Sequence, residues 1–419
     1  MRTLLYQGSV KNIYQTGKDV LEFEFTDQYS IFDWGVMPDK IENKGKSLAK
    51  MASYFFKKFQ TPETFQNFFK NNTFENSYFK DKKFEKIVSE LSKNAASTHF
   101  IDYLSPQSIL VKKVNVLHPK FENSTYIYPK ELNSATETLI PLEVVFRLGA
   151  PKGSSYLKRN PEFKEDTLFN EVKVEFFSKL EPQDRYLSTS EAKAISGLSE
   201  VELEEIIFKT KTYALVLKEI FKKSQINLWD GKFEFAYGKF NENSRDIVLV
   251  DSIGADELRL THGKTTLSKE FLRKIYKKDP WYKQLSKNKN DYPQSFLEKT
   301  KLKPAPLSEE AKEASSQLYT SLLTCLENND AFSAPRLESY YFDHFKSICI
   351  FGQGGREHAL SDHLSKDPRV EKVYVVPGND GMSGDKIETI AIAKDHYVSF
   401  CKSKKIDFAI IGPEALLEE

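Results

Sequence analysis

Apolar and polar residues alternate along the first fifty positions. Leu4 and Tyr6, then Val10, Ile13 and Tyr14, then the LEFEF run from Leu21 to Phe25 form short stretches, with Gly8 and Gly17 between them. Period-two alternation broken by glycine predicts short strands joined by turns. Residues 51–93 mix Phe and Lys densely, which predicts a helix-and-loop insertion with aromatics packed inward and lysines in water. Leu110–Leu117 and Leu139–Ala150 read as strands. From Ser199 the period changes. Val201, Leu203, Ile206, Ile207, Tyr213, Ala214, Leu217, Ile220 and Phe221 recur mostly at steps of three and four, the mark of an amphipathic helix. Ser199 and Glu202 have the spacing of a capping box at its start.

Next come KFEFAYGKF, the polar stretch NENSRD, and IVLVDSI, which predict a β-hairpin with a longer loop. Alternate strand residues share a face, so Asp230, Lys232 and Glu234 point one way and Phe233, Phe235 and Tyr237 the other. Asp251 ends the apolar run of the return strand. A register whose paired residue numbers add to about 485 or 487 would put Asp251 on the face of Glu234. Two carboxylates and a lysine would then suit Mg²⁺ and phosphate. The same pattern also suits a solvated hairpin face with a surface ion pair, worth little.

Lys274–Lys289 is lysine-rich and reads as solvated surface. Pro304 and Pro306 precede a helix predicted over Ser308–Leu326, and residues 328–345 read as a connector. At Ser347 the pattern changes to SICIFGQGGREHAL, then VEKVYVVPGN, then IDFAIIGPEA. Three buried-type strands with intervening polar or helical stretches open a βαβ domain. Glycines between strand and helix let backbone N–H groups approach a phosphate. Glu357 occupies the third glycine position of the dinucleotide fingerprint, which disfavours a plain NAD domain.

Composition narrows the class. The chain has 419 residues, with 61 basic and 60 acidic side chains and a net charge of +1, so nothing draws it generally to nucleic acid or membranes. Its length favours two or three domains. The three cysteines form no CxxC pair, against a disulfide framework or a cysteine zinc site. The start lacks the apolar run of a signal peptide, and no stretch reaches membrane-span length. A cytoplasmic location is the expectation, with oligomeric state left open.

Several stretches carry a family likeness: GSVKNIY (Gly8 to Tyr14), TDQYSIFD (Thr26 to Asp33), Lys44-Gly45, EVVFRLGAPKGSS (Glu143 to Ser155), DGKFEFAYG (Asp230 to Gly238), DSIGADELR (Asp251 to Arg259) and KEFLRKIY (Lys269 to Tyr276). In that order they resemble the SAICAR synthetases. These are ATP-dependent ligases of purine biosynthesis that join L-aspartate to carboxyaminoimidazole ribotide (CAIR). The resemblance covers residues 1–329. It implies an α+β, two-lobed nucleotide-binding fold with antiparallel sheets, ATP and Mg²⁺ as cofactors, and a carboxyl phosphate intermediate. By the same resemblance Gly8 and Lys11 lie at the ATP phosphates, Lys232 beside them, and Glu234 and Asp251 near the metal. Arg147, Ser154, Ser155 and Arg259 hold the ribotide's phosphate and carboxylate. Lys269 and Arg273 are further anion contacts. Lys11, Lys232, Arg147 and Arg259 form the expected catalytic set. His99 is given no role.

Three positions depart from the family pattern. Ser9 stands where lysine is usual, Ser252 where glutamate is usual, and Glu257 where serine or glycine is usual. They motivate an alternative reading, a catalytically decayed scaffold or partner protein. A small-molecule kinase on the same scaffold is a further rival. Residues 346–415 are similar to the N-terminal domain of glycinamide ribonucleotide synthetase, implying a partial α/β Rossmann-like domain over 346–419 after a linker at 330–345. Gly354, Gly355, Arg356, Pro377, Gly378, Asn379, Gly412, Pro413 and Glu414 would form its substrate-binding edge, or equally serve only as turns. The ATP-grasp portion is not in the sequence, so glycine ligation is not expected of this chain.

Overall fold

The N-terminal alternation becomes an antiparallel sheet in the computed structural model. Strands β1 (Thr3–Gln7), β2 (Lys11–Gln15), β3 (Val20–Phe25), β4 (Phe100–Leu104) and β5 (Ser108–Lys112) lie in the order β1-β2-β3-β5-β4. The structure describes residues 2–241, 244–263, 265–293, 295–344, 346–367 and 369–413. Gly8 serves the β1–β2 turn, where its N–H donates to the Lys11 carbonyl at 3.0 Å. A Cβ there would stand 2.6 Å from that oxygen, so only glycine fits.

Helix α1 (Lys44–Phe59) covers this sheet, burying Leu48, Ala52, Phe55, Phe56 and Phe59 along one stripe. The Phe/Lys-rich insertion continues as α2 (Pro62–Asn71), α3 (Asn76–Phe79) and α4 (Glu85–Asn94). Phe65, Phe68, Phe79 and Phe84 are buried while Lys57, Lys58, Lys70, Lys82 and Lys83 are exposed, as the composition predicts. The strand expected over Leu110–Leu117 stops at Lys112. There the chain leaves the first sheet, and Asn115 N–H donates instead to the Glu137 carbonyl, beside the second sheet. Between the sheets a small hairpin joins β6 (Lys120–Glu122) to β7 (Thr125–Ile127).

The second sheet holds β8 (Thr138–Ala150), β9 (Thr167–Ser178), β10 (Tyr186–Leu187), β11 (Asn227–Asn241), β12 (Ser244–Val250), β13 (Leu258–His262) and β14 (Thr265–Thr266). Its order is β10-β9-β8-β11-β13-β14, with β12 also paired to β11. Short helices α5 (Ser155–Arg159) and α6 (Thr189–Ser196) flank it, and α7 (Glu200–Lys223) packs across it. The predicted capping box is present: Ser199 Oγ accepts from Glu202 N–H, and the Glu202 carboxylate accepts from Ser199 N–H.

The lysine-rich segment is a pair of helices, α8 (Lys269–Tyr276) and α9 (Pro280–Asp291), rather than plain surface. Its lysines are largely exposed, but Trp281, Leu285 and Asn288 recur at helical spacing and are buried. Aromatic residues hidden among lysines masked the period. α10 (Phe296–Lys299) and α11 (Glu309–Asn328) follow, and α12 (Pro335–His344) occupies the stretch that reads as a connector.

The described chain divides into two units, residues 1–308 with 318–333, and residues 309–317 with 334–419. In the second, β15 (Lys346–Gly352), β16 (Val370–Pro377), β17 (Ile387–Thr389) and β18 (Phe408–Ile411) form a parallel sheet ordered β17-β16-β15-β18. Helices α13 (Gly355–Lys366) and α14 (Tyr397–Ser403) intervene. Apolar clusters form around Ile350, Val373 and Val375, and around Cys349, Phe351 and Val376. No described helix is long and apolar enough to cross a membrane.

Candidate active site

Three neighbouring strands set out the charged residues in rows. On β11, Asp230 pairs with Arg147 of β8 and with Arg259 of β13; two residues on, Lys232 pairs with Val145, and then Glu234 with Glu143. Cross-strand partners share a face, so one face carries an arginine-rich end and a lysine–glutamate end. The aromatic residues Phe233, Phe235 and Tyr237 are buried behind it.

The hairpin register is one residue away from the expected one: Glu234 pairs with Val250, so Asp251 would fall opposite Phe233. A register shift between Tyr237 and Phe240 produces the change. Asp251 reaches the charged cluster by another route. It lies just past β12 with φ of 64°, a left-handed conformation that turns it out of the strand's alternation. Its carboxylate pairs with Lys11, joining the first sheet to the hairpin. His99, buried against Phe23 and Phe56, donates from Nε2 to the Asp251 carbonyl at 2.9 Å.

Around this pair lies a lysine–carboxylate cluster. Lys179 contacts Glu234 at 2.6 Å and Glu143 at 3.1 Å, and Lys232 contacts Glu143 and, at 3.3 Å, Glu234. Burial alone would raise the Asp251 carboxyl, but Lys11, Lys179 and Lys232 hold it well below the usual carboxylate range. Burial and the neighbouring Asp251 push Glu234 up against the pull of Lys179 and Lys232. Lys232 is penalised by burial yet held well above the usual lysine range by Glu234 and Glu143. Asp184, on the turn after β9, is pushed up to about 6 by burial and by Glu143.

The arginine-rich end is compensated internally. Arg147 is buried, pairs with Glu175 and with Asp230 at 3.0 Å, and reaches Ser154 and Ser155 Oγ at 3.4 Å each. Arg259 stands 3.4 Å from Asp230 and 3.9 Å from Glu270, and Arg273 pairs with Glu270. Lys269 lies 3.8 Å from Asp256, which also takes Lys44 at 2.8 Å and the Tyr319 hydroxyl at 2.8 Å. Burial lowers Lys269, opposed by Asp256 and Glu257. Planar guanidinium groups aligned with serine hydroxyls can grip a phosphate or carboxylate through paired hydrogen bonds.

Lys11, Lys232, Glu234 and Asp251 therefore come together, as do Arg147, Ser154, Ser155 and Arg259. Lys269 joins Asp256 rather than either arginine. Glu257, which stands where serine or glycine is usual, meets the start of its own loop: Ser252 Oγ donates to Glu257 Oε1 at 3.2 Å. Glu143, Lys179 and Glu175 are additional members of the clusters. Glu143 and Glu175 could be found by counting alternate residues from Arg147 and across to β9. Lys179, in a polar turn, carries no such signal.

In the second unit the glycine-rich motif lies at the carboxyl ends of β15 and β18. Glu357 folds back to accept from Gly354 N–H at 2.7 Å, and a Cβ on Gly352 or Gly412 would overlap its side chain. It fills the space under the loop, which explains its presence at a fingerprint glycine position. Asn379 Nδ2 donates to the Gln353 carbonyl at 2.7 Å and Gly378 N–H to the Gly352 carbonyl at 3.1 Å. Gly355, Arg356, Pro377 and Pro413 lie along the same strand ends; Glu414 is outside the described residues.

Comparison with known proteins gives a consistent picture. Residues 4–295 match the SAICAR synthetase family profile, and residues 346–419 match that of the phosphoribosylglycinamide synthetase N domain. A putative phosphoribosylaminoimidazole-succinocarboxamide synthase of Archaeoglobus fulgidus is 33% identical over 332 residues, covering 75% of this chain and 90% of the relative. A synthase of the same name from Thermoplasma acidophilum is 28% identical over 67% of this chain and 86% of its own length. A phosphoribosylamine–glycine ligase of Listeria innocua is 45% identical over 76 residues, which span 17% of this chain and only 18% of that protein. Among solved structures, a SAICAR synthetase in complex with ADP aligns with 25% identity and a TM-score of 0.45, over 72% of this chain and 99% of its own.

Proposed function

The chain belongs to the SAICAR synthetase family, and on that premise we propose that it joins L-aspartate to the carboxyl group of CAIR, converting ATP to ADP and phosphate through an acyl phosphate. The carboxylate oxygen attacks the γ-phosphorus and the bond to ADP breaks. The aspartate amine then attacks the acyl carbon, the bond to phosphate breaks, and the amine releases a proton. Such phosphoryl transfer depends mainly on positioning and charge stabilisation.

The observation that carries the reading is the Lys11–Asp251 pair, which brings the N-terminal turn and the charged hairpin to one point. Lys11 and Lys232 offer positive charge to the ATP phosphates beside the Gly8 turn. Arg147, Ser154, Ser155 and Arg259 orient the ribotide's anions, with Lys269 and Arg273 as further contacts.

The donor set fits Mg²⁺. Glu234 and Asp251 supply only carboxylate oxygens, and burial together with the neighbouring Asp251 raises Glu234. Mg²⁺ takes one or two carboxylates, with water and phosphate completing its shell. Glu234 and Asp251 would hold it, and it would screen the charge of the ATP phosphates. ATP, CAIR and aspartate in a cytoplasmic setting complete the proposal. No observation favours the decayed-scaffold alternative.

The test is ADP release with ATP, Mg²⁺ and CAIR, with and without aspartate, for the full chain and Lys11→Ala. The expected result is aspartate-dependent release that falls about 100-fold in the variant. A folded protein without turnover would favour the decayed scaffold, and aspartate-independent turnover the kinase.

A further inference from the structure

Strand β9 sets one carboxylate between two arginines. Glu175 pairs with Val145, two residues before Arg147 on β8, so its side chain lies on the Arg147 face of the sheet. The carboxylate is buried and gives each oxygen to a different guanidinium: Oε2 accepts from Arg147 Nε, and Oε1 accepts from Arg159 Nη2 at 2.6 Å. Arg159 ends the short helix α5, whose N-cap and first residue are Ser154 and Ser155. Those two hydroxyls stand 3.4 Å from the other two nitrogens of Arg147. The contacts thus close a ring that runs from Arg147 through the serines, α5, Arg159 and Glu175 back to Arg147. Arg159 is seated against two aromatic rings, its guanidinium carbon 4.8 Å from the centre of Tyr186 and 5.4 Å from that of Phe177, which favours one orientation of the planar group.

Charge points the same way. Arg147 meets Glu175 and Asp230, and Arg259 shares Asp230 at 3.4 Å. Taken alone, these two arginines and two carboxylates would cancel, and a fully compensated guanidinium has little attraction left for an incoming anion. Arg159 divides Glu175 with Arg147 and leaves the group one positive charge in excess, while Glu270 nearby is matched by Arg273. A phosphate or carboxylate that reaches Ser154 and Ser155 meets that excess through Arg147.

We infer that Arg159 is a positioning residue of the ribotide's anion site: through Glu175 it fixes the Arg147 guanidinium and frees part of its charge for the ligand, without touching the ligand itself. The inference rests on the proposed role of Arg147, Ser154 and Ser155. Its effect is confined to the substrate those residues hold.

The experiment measures ADP release by the full chain while CAIR, ATP and aspartate are varied in turn. Far-ultraviolet circular dichroism confirms the fold of each variant. Arg159→Gln is expected to raise KM for CAIR about tenfold, with kcat and the KM values for ATP and aspartate held within about twofold. A single hydrogen bond joins Arg159 to Glu175, so Arg159→Lys is expected to stay within about threefold of the unmodified protein. An unchanged KM for CAIR in Arg159→Gln, with a raised one in Arg147→Gln, would overturn the inference and leave the anion site standing. A loss spread evenly over all three substrates, or Arg159→Lys as impaired as Arg159→Gln, would also overturn it, making Arg159 a residue of the fold alone. An unchanged KM for CAIR in Arg147→Gln as well would overturn the anion site itself.

Discussion

Asp251 shows how one residue's backbone can decide a site. A left-handed φ costs a non-glycine residue about 1–2 kcal/mol, and the neighbours that offset it are the Lys11 pair and the His99 hydrogen bond. Donation to a carbonyl fixes the proton on Nε2 of a neutral ring. Burial, more than any other influence, lowers His99 from its usual 6.5 to about 4. The unfolded chain therefore binds a proton between those two values and the folded one does not. The His99 contribution to stability is complete above pH 6.5 and is lost as pH falls toward 4, by up to about 3 kcal/mol. Urea unfolding across this range should show a shallower pH dependence in His99→Gln, which can donate without titrating. Identical slopes would mean that His99 is not held neutral.

At the scale of elements, α7 and its cap are legible in the sequence, because a 3.6-residue period and a Ser-x-x-Glu spacing act locally. The packing of Glu202 is not. Its carboxylate also receives the buried Arg245 side chain at 2.8 Å from both Nε and Nη2, a contact across 43 residues that no local pattern encodes. Ser199→Ala should therefore cost about 1 kcal/mol, whereas Glu202→Ala should cost about 3 kcal/mol or more by leaving a buried guanidinium without its carboxylate. Equal losses in chemical denaturation would refute the distinction. The candidate site divides the same way. Period-two counting places Asp230, Lys232 and Glu234 together, and the family motifs mark Lys11 and Arg147. The route of Asp251 into the cluster depends on a register shift and a backbone torsion, neither of which has a sequence signature. Lys179 enters from a polar turn, where side-chain direction is set by the fold.

At the scale of the whole molecule, the described chain has two units, and every residue assigned to the nucleotide or the ribotide lies in the first. The second has its own apolar core around Ile350 and Val375. A ligand that binds only the native first unit stabilises that unit by mass action, about 2.7 kcal/mol at a hundredfold excess over its dissociation constant. Calorimetry of the full chain should thus show a transition that rises with ADP and Mg²⁺ and another that does not. Ile350→Ala removes fully buried side-chain volume from the second core and should lower that unit's stability by about 2–5 kcal/mol. It should move only the transition that ADP leaves unchanged, which identifies each transition with its unit. If ADP raised the transition that Ile350→Ala lowers, the nucleotide would depend on the second core, and confinement of its site to the first unit would be wrong.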